Sequence, residues 1–349
     1  MDKRQTDVIK IAKGISIFCV VLGHTMIPAM RENDSFIYRL WTIIYLFHMP
    51  VFFAASGILY ELNRNRYEKE PVQFIKRKWN LLIIPYLTIS VCIYLLLMAA
   101  NRIPGVSGLM ARYVPHVPTL KNALLEVLTY ENHMGQHLWF VLVLFLIFLT
   151  NILTCRLNQR ILCIGLMIAP VFVLPVLKAK YAVPDIPNYF LFELPFFMLG
   201  RLIAQEKPLL NKATKENITP FVFAALTFLY LAFINETDIL PGPVRWAYLF
   251  VTRCAGIMMV FSLAAFIERK NFLKTLWKYL ERKSYPIYLL HQPFMVSGTA
   301  GVLIAMGVPN PIVIGVGTLA GLAVPLMIDQ VMGKNRLYQK WILGGRIER

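Results

Sequence analysis

Ten apolar blocks, most of them close to the length a helix needs to cross a bilayer, constrain this chain more than any other feature. They run over 11–30, 39–60, 79–100, 138–155, 161–177, 188–204, 218–234, 247–267, 285–305 and 311–331. A hydrocarbon core takes roughly 20 residues of helix. The expected fold is therefore all-α: a polytopic integral membrane protein of about ten transmembrane helices, forming a single membrane-embedded domain over 1–349. No soluble domain is expected. The first block has no small-residue cleavage site and a second block follows at once, so it reads as a span and not a signal peptide. Composition agrees, with 57% hydrophobic and 16% charged residues. That balance excludes a disordered chain, and the length excludes a small disulfide-stapled domain. The five cysteines lie mostly in apolar runs and read as small buried hydrophobes.

The net charge of +17 would suit a nucleic-acid partner, but its distribution excludes one. With the N-terminus inside, 27 of the 36 Lys and Arg residues fall in inner segments and nine in outer ones. Such an asymmetry orients membrane proteins, so both termini are expected in the cytoplasm. The longest outer connection, 101–137, contains Pro104, Pro115 and Pro118 and a short helix near 119–130, and is expected to form a lid. The inner segment 268–283 spaces Phe272, Leu276, Tyr279 and Leu280 as one helical face among basic residues, which suits a helix in contact with membrane lipids. No repeat, phosphate-binding glycine loop, dinucleotide fingerprint or nucleophile-elbow motif occurs.

Ionisable groups at membrane depth need a partner, a cavity or a task. His24 lies eleven positions beyond Lys13 in the first block, about 16 Å along a helix. Lys13 can sit at the inner headgroups while His24 reaches mid-depth or beyond. There a histidine can deprotonate a sugar hydroxyl for attack on an acyl carbonyl, or it can simply bond a neighbouring helix. His48, in YLFHMPVFFAASGIL, has the same two readings. Pro50 is expected to kink its helix, and Ser56 and Gly57 permit close helix approach. Lys10 and Lys13 share a face with Asp7, and Arg77 and Lys78 open the third block. Together they can bind the pyrophosphate and 3′-phosphate of coenzyme A, or snorkel to headgroups. Glu193 and Arg253, inside the sixth and eighth blocks, either pair with each other or contact an acceptor. His291 either lines the cavity or packs among aromatics. Trp139 marks a membrane interface, with His137 just before it. The histidines lack ligand spacing, so no metal is expected.

In order and spacing these segments resemble the membrane acyltransferase-3 family, which includes O-acetyltransferases of bacterial surface polysaccharides. DVIKIAKGISIFCVVLGH is similar to the family's opening signature, a basic residue and then, after ten others, the proposed catalytic histidine. It maps onto Lys13, where many members carry arginine, and His24, with Asp7 as the preceding acid. FHMPVFFAASG, RKWNLLIIPY, HLWF, ELPFFMLG and SYPIYLLHQP resemble later motifs, and the likeness covers about 4–331. The resemblance implies acetyl-CoA as a cytoplasmic donor and a carbohydrate or lipid-linked glycan as acceptor. It also implies modification of exopolysaccharide or lipopolysaccharide in the bacterial cytoplasmic membrane, by a stand-alone enzyme nearest the fucose O-acetylase-like branch. On this reading His24 and His48 are catalytic. Lys10, Lys13, Arg77, Lys78 and Asp7 form the donor site, and Glu193, Arg253, His291 and Trp139 contact the acceptor. A transporter or flippase of glycan intermediates, a polysaccharide polymerase or ligase, and a membrane scaffold are the alternatives. The scaffold leaves the polar groups at depth unexplained.

Overall fold

The first block folds as α1, Lys3–Thr25, which begins earlier and ends sooner than the apolar stretch that predicts it. Pro28 breaks the helix and opens a short helix, α2 (Pro28–Asn33), where a missing N–H costs nothing. Asp34 then caps α3 (Ser35–Leu62) by accepting from the Phe36 and Ile37 N–H groups. This is a computed structural model describing residues 3–103, 119–129, 135–206, 211, 218–233 and 242–345. Among these residues every regular element is helical.

After α3 come α4 (Arg64–Lys69) and α5 (Pro71–Lys78). A π-turn over Trp79–Ile83 leads into α6 (Ile84–Ala100), making one continuous span from Pro71 to Ala100. Pro85 sits in the first turn of α6, and the wider turn before it accommodates the lost N–H. The next helices are α7 (Leu120–Thr129), α8 (Trp139–Leu153), α9 (Gln159–Lys180) and α10 (Asp185–Gln205). They are followed by α11 (Ile218–Phe233), α12 (Gly242–Lys270) and α13 (Lys274–Arg282). The last are α14 (Ser284–Leu290), α15 (Thr299–Ala305) and α16 (Asn310–Met332).

The chain is thus an all-α, polytopic membrane protein. Among the described residues seven helices are long and apolar enough to cross a bilayer, and eight when α14 and the helix Phe294–Ala305, bent by 61° to each other, count as one span. Of the remaining two blocks, α10 carries Glu193 and Arg201, and α11 is 16 residues long. The outer surface is apolar as well as the core, and a few polar groups are buried between helices. Leu95, Phe172, Leu226, Leu319 and Val331 face outward, while His48, Asn151, Glu193, Arg201 and His291 are buried.

Without a hydrophobic force between helices in lipid, close packing and polar contacts hold the bundle. α3 and α10 interlock through Gly57 and Gly200. A Cβ at Gly57 would lie 2.0 Å from the Phe197 carbonyl oxygen, and one at Gly200 would lie 2.0 Å from that of Ala54. One turn on, the fully buried Arg201 donates to Glu61 at 2.8 Å, to Gln159 at 2.7 Å and to Asn151. This node joins α3, α8, α10 and the start of α9. The sequence reading counts Arg201 only as a topology charge.

The segment 268–283 departs from expectation. It is not one interfacial helix. It is the end of α12, a turn, and then α13, which packs on α1 so closely that a Cβ at Gly14 would collide with the Trp277 backbone. Phe272, Leu276 and Tyr279 are exposed as expected, but Leu280 is buried. Ion pairs clamp this junction: Asp7 to Lys278 at 2.8 Å and Lys274 at 3.4 Å, Lys13 to Glu281 at 2.7 Å, and Arg4 to Glu268 at 3.2 Å. The hydrogen bond that Lys274 donates to Glu268 pushes the lysine's pKa up. We call this the basic end of the bundle, and the other the distal end. Of the predicted lid, α7 docks on α6 through the Tyr86 hydroxyl, which donates to the Val127 carbonyl at 2.6 Å. Residues 104–118 and 130–134 lie outside the described part.

Candidate active site

A cavity of about 300 Å³ opens among α1, α3, α5, α8 and α14. Lys13, Lys78, Ser56, Tyr60, Tyr67 and Tyr288 are among its lining residues. Lys13 is delivered by α1 and held by Glu281 of α13. Lys78 comes from the last turn of α5 and lies over the Phe148 ring at 4.1 Å. Burial pushes the Tyr67 phenol up, so it stays a neutral hydrogen-bond donor. The Tyr60 hydroxyl is buried with no hydrogen-bond partner, as if kept for a ligand's acceptor.

A second cavity, of about 400 Å³, lies towards the distal end and is lined by His24, Arg31, Trp41, Tyr45, His137 and Gln292, among others. Both cavities run along α1. Val20 lines the first, and Gly23 and His24, one turn further, line the second. The wall between them is thin. Tyr288 of the first cavity donates to the carbonyl of His137 of the second at 2.5 Å.

Three histidines meet at this wall. The His24 and His291 ring centroids are 5.2 Å apart, and those of His137 and His291 are 5.4 Å apart. His291 Nδ1 donates to the backbone carbonyls of Tyr288 at 2.8 Å and Ile287 at 3.0 Å. Its Nε2 is therefore the unprotonated nitrogen when the ring is neutral, and it is buried without a partner, as is His137 Nε2. His24 is half-buried, and its Nδ1 is 3.4 Å from the Tyr45 hydroxyl. That contact occupies one ring nitrogen and leaves the other for proton exchange. Among the described residues, no group of three metal-ligating side chains has the arrangement to hold an ion.

The structure sorts the residues singled out from sequence. His24 lines the distal cavity, and Lys13 and Lys78 line the basic one. Arg77 is exposed and does not line the cavity. One step of 100° around the helix turns Lys78 inward and Arg77 away. Lys10 is half-buried and is not among that cavity's lining residues. Asp7 pairs with Lys274 and Lys278, not with its helix neighbours Lys10 and Lys13. His48 lines neither cavity. Its Nδ1 donates to the Ile44 carbonyl at 2.7 Å, and its ring packs against Tyr45 at 4.7 Å. Glu193 and Arg253 pair with each other at 2.9 Å, away from both cavities, with Arg253 over Phe192 at 3.9 Å. His291 is fully buried between His24 and His137. Trp139 stacks on Tyr189 at 4.6 Å and borders neither cavity.

Sequence reasoning missed Tyr45, Arg31 and the part played by His137. Tyr45 was within reach, since it shares a helix face with His48 at i, i+3. His137 reaches His291 only through tertiary packing, and no local spacing predicts that.

The helical bundle thus holds a basic cavity and a histidine-lined cavity back to back. A family model described as an acyltransferase domain matches residues 7–329. The chain belongs to the acyltransferase-3 family. No curated protein and no solved structure matches it. As a membrane acyltransferase, it must admit an acyl donor and an acceptor to one reacting centre, and the two cavities separated by one side-chain layer are suited to that task.

Proposed function

We propose that this acyltransferase moves an acetyl group from cytoplasmic acetyl-CoA to a hydroxyl of a cell-surface or lipid-linked carbohydrate. In this reading it crosses the bacterial cytoplasmic membrane ten times, and both termini and the basic end lie in the cytoplasm. The 27-to-nine distribution of basic residues supports that orientation.

The observation that carries the reading is the pair of cavities on α1, one holding Lys13 and Lys78 and the other His24. The basic cavity takes the acyl-pantetheine arm, with Lys13 and Lys78 nearest the donor phosphates and Lys10 and Arg77 at the rim. Asp7 holds α13 and thereby Glu281, the partner of Lys13. The acceptor hydroxyl enters the distal cavity and gives its proton to His24. A bond forms between that oxygen and the acetyl carbon, the carbon–sulfur bond breaks, and the proton passes on to the departing thiolate or to water. Tyr45 orients His24, and His48 supports Tyr45 from behind. His291 is a positioning residue for His24. The Glu193–Arg253 pair and Trp139 shape the bundle around the acceptor cavity. A flippase or polymerase would need no donor cavity at the basic end.

The test compares acetylation of surface glycan, read by NMR or mass spectrometry, in cells carrying wild-type protein or His24→Ala. The variant should insert normally and lose transfer by a factor of 100 or more. Wild-type acetylation in that variant would overturn the assignment.

A further inference from the structure

The distal cavity contains a feature that a site for a neutral sugar does not need. Arg31 lines it, and among its described lining residues Arg31 is the one with a formal charge. The guanidinium lies over the Trp41 ring at 4.0 Å. Trp41 in turn packs on Tyr45 at 4.3 Å, and Tyr45 reaches His24. A row of rings thus fixes the cation relative to the reacting histidine. Stacking uses the face of the guanidinium and leaves its in-plane N–H donors for a ligand. Arg31 Nε is buried with no hydrogen-bond partner. No carboxylate among the described residues pairs with Arg31, whereas the buried Arg201 has Glu61 and the half-buried Arg253 has Glu193.

A half-buried cation without a counter-charge costs free energy unless an anion arrives. We infer that the acceptor carries an anionic group, a carboxylate or a phosphate, which Arg31 binds while the hydroxyl to be acylated faces His24. This rests on the acceptor site assigned above and specifies what class of molecule fills it. Two sources supply the chemistry: an acidic sugar such as a uronic acid, or the phosphate of a carrier lipid. In either case Gln136, Gln292 and Ser297, which also line the cavity, are neutral hydrogen-bonding groups suited to sugar hydroxyls.

The experiment measures equilibrium binding to the full chain in nanodiscs of phosphatidylcholine, a lipid without net charge. The probes are octyl glucoside, octyl glucuronide, which differs by one carboxylate, and octyl phosphate. Wild-type protein should bind at least one anionic probe tenfold or more tighter than octyl glucoside, the effect of one charge-assisted hydrogen bond or more. Tight binding of octyl glucuronide alone identifies an acidic sugar, whereas equal binding of octyl phosphate, in competition with it, identifies a carrier phosphate. Arg31→Gln should bring the probes to within twofold of one another, and Arg31→Lys should restore part of the preference. Equal binding of all three probes by wild-type protein overturns the inference, as does a preference that survives in Arg31→Gln. Acetyl-CoA consumption is measured separately on the same nanodiscs. Its absence alongside an intact charge preference would condemn the proposed reaction and not the anion site.

Discussion

Replacing Gly57 or Gly200 by alanine should destabilise the bundle, and replacing both should cost less than the sum. Each new Cβ would lie 2.0 Å from a carbonyl oxygen of the facing helix, where ordinary contact starts at 3.4 Å. The difference, 3.4 − 2.0, requires α3 and α10 to separate by about 1.4 Å at their crossing. A gap near 1 Å already forfeits up to half of the dispersion attraction. Over roughly 40 atom pairs at about 0.15 kcal/mol each, half the attraction is ~3 kcal/mol. Alanine returns about 1 kcal/mol of helix propensity per glycine replaced. Either single variant should therefore cost ~2 kcal/mol net. One separation relieves both collisions, so the double variant loses the packing once and gains propensity twice, for a net cost of ~1 kcal/mol. The assay is unfolding in mixed micelles of increasing SDS fraction, followed by circular dichroism. A double variant that costs ~4 kcal/mol, the sum of two singles, would show that the collisions are relieved separately, and the interlock would then be wrong.

Further expectations follow from the buried node and the donor cavity. Arg201→Met and Glu61→Gln should each destabilise by about 3–5 kcal/mol, because each leaves a buried polar or charged group without its partner. Glu61→Gln should cost more, since Arg64 still faces Glu61 at 2.9 Å when Arg201 is gone. The double variant should fall short of the sum by about 2 kcal/mol in the same SDS titration, and strict additivity would argue against the pairing. Lys13→Met and Lys78→Met should each weaken coenzyme A binding about tenfold or more, the scale of one charge-assisted contact, and more than Arg77→Met does. Isothermal titration with coenzyme A checks the order, and a larger loss at Arg77 would move the donor site off the cavity.

Much of the fold was legible because bilayer thickness leaves a strong mark on sequence. Among the described residues each of the ten blocks overlaps helix, seven or eight of them long and apolar enough to cross a bilayer, and the small residue Gly57 lies at a close crossing as its size suggests. The ends were not legible where breakers act outside the apolar pattern: Pro28 and Asp34 set the turn between α1 and α3. The site was legible where one helix carries both parts, as with Lys13 and His24 on α1. It was not legible where partners come from afar. Spacing along α1 joins Asp7 to Lys10, yet Lys274 and Lys278 of α13 win the contact, because they approach its buried carboxylate from a packed helix. Likewise Arg77 and Lys78 are neighbours in one basic run, and the helix step that sets Lys78 on Phe148 leaves Arg77 exposed.

The central claim is that donor and acceptor reach His24 from opposite ends of the bundle. It is tested most directly in oriented vesicles, with labelled acetyl-CoA supplied to one face and a membrane-impermeant acceptor to the other. Transfer should occur only when the donor is on the face bearing Lys13 and Lys78 and the acceptor is on the face bearing Arg31, and His24→Ala should abolish it. Transfer that proceeds with donor and acceptor both confined to the Lys13 face would contradict the account.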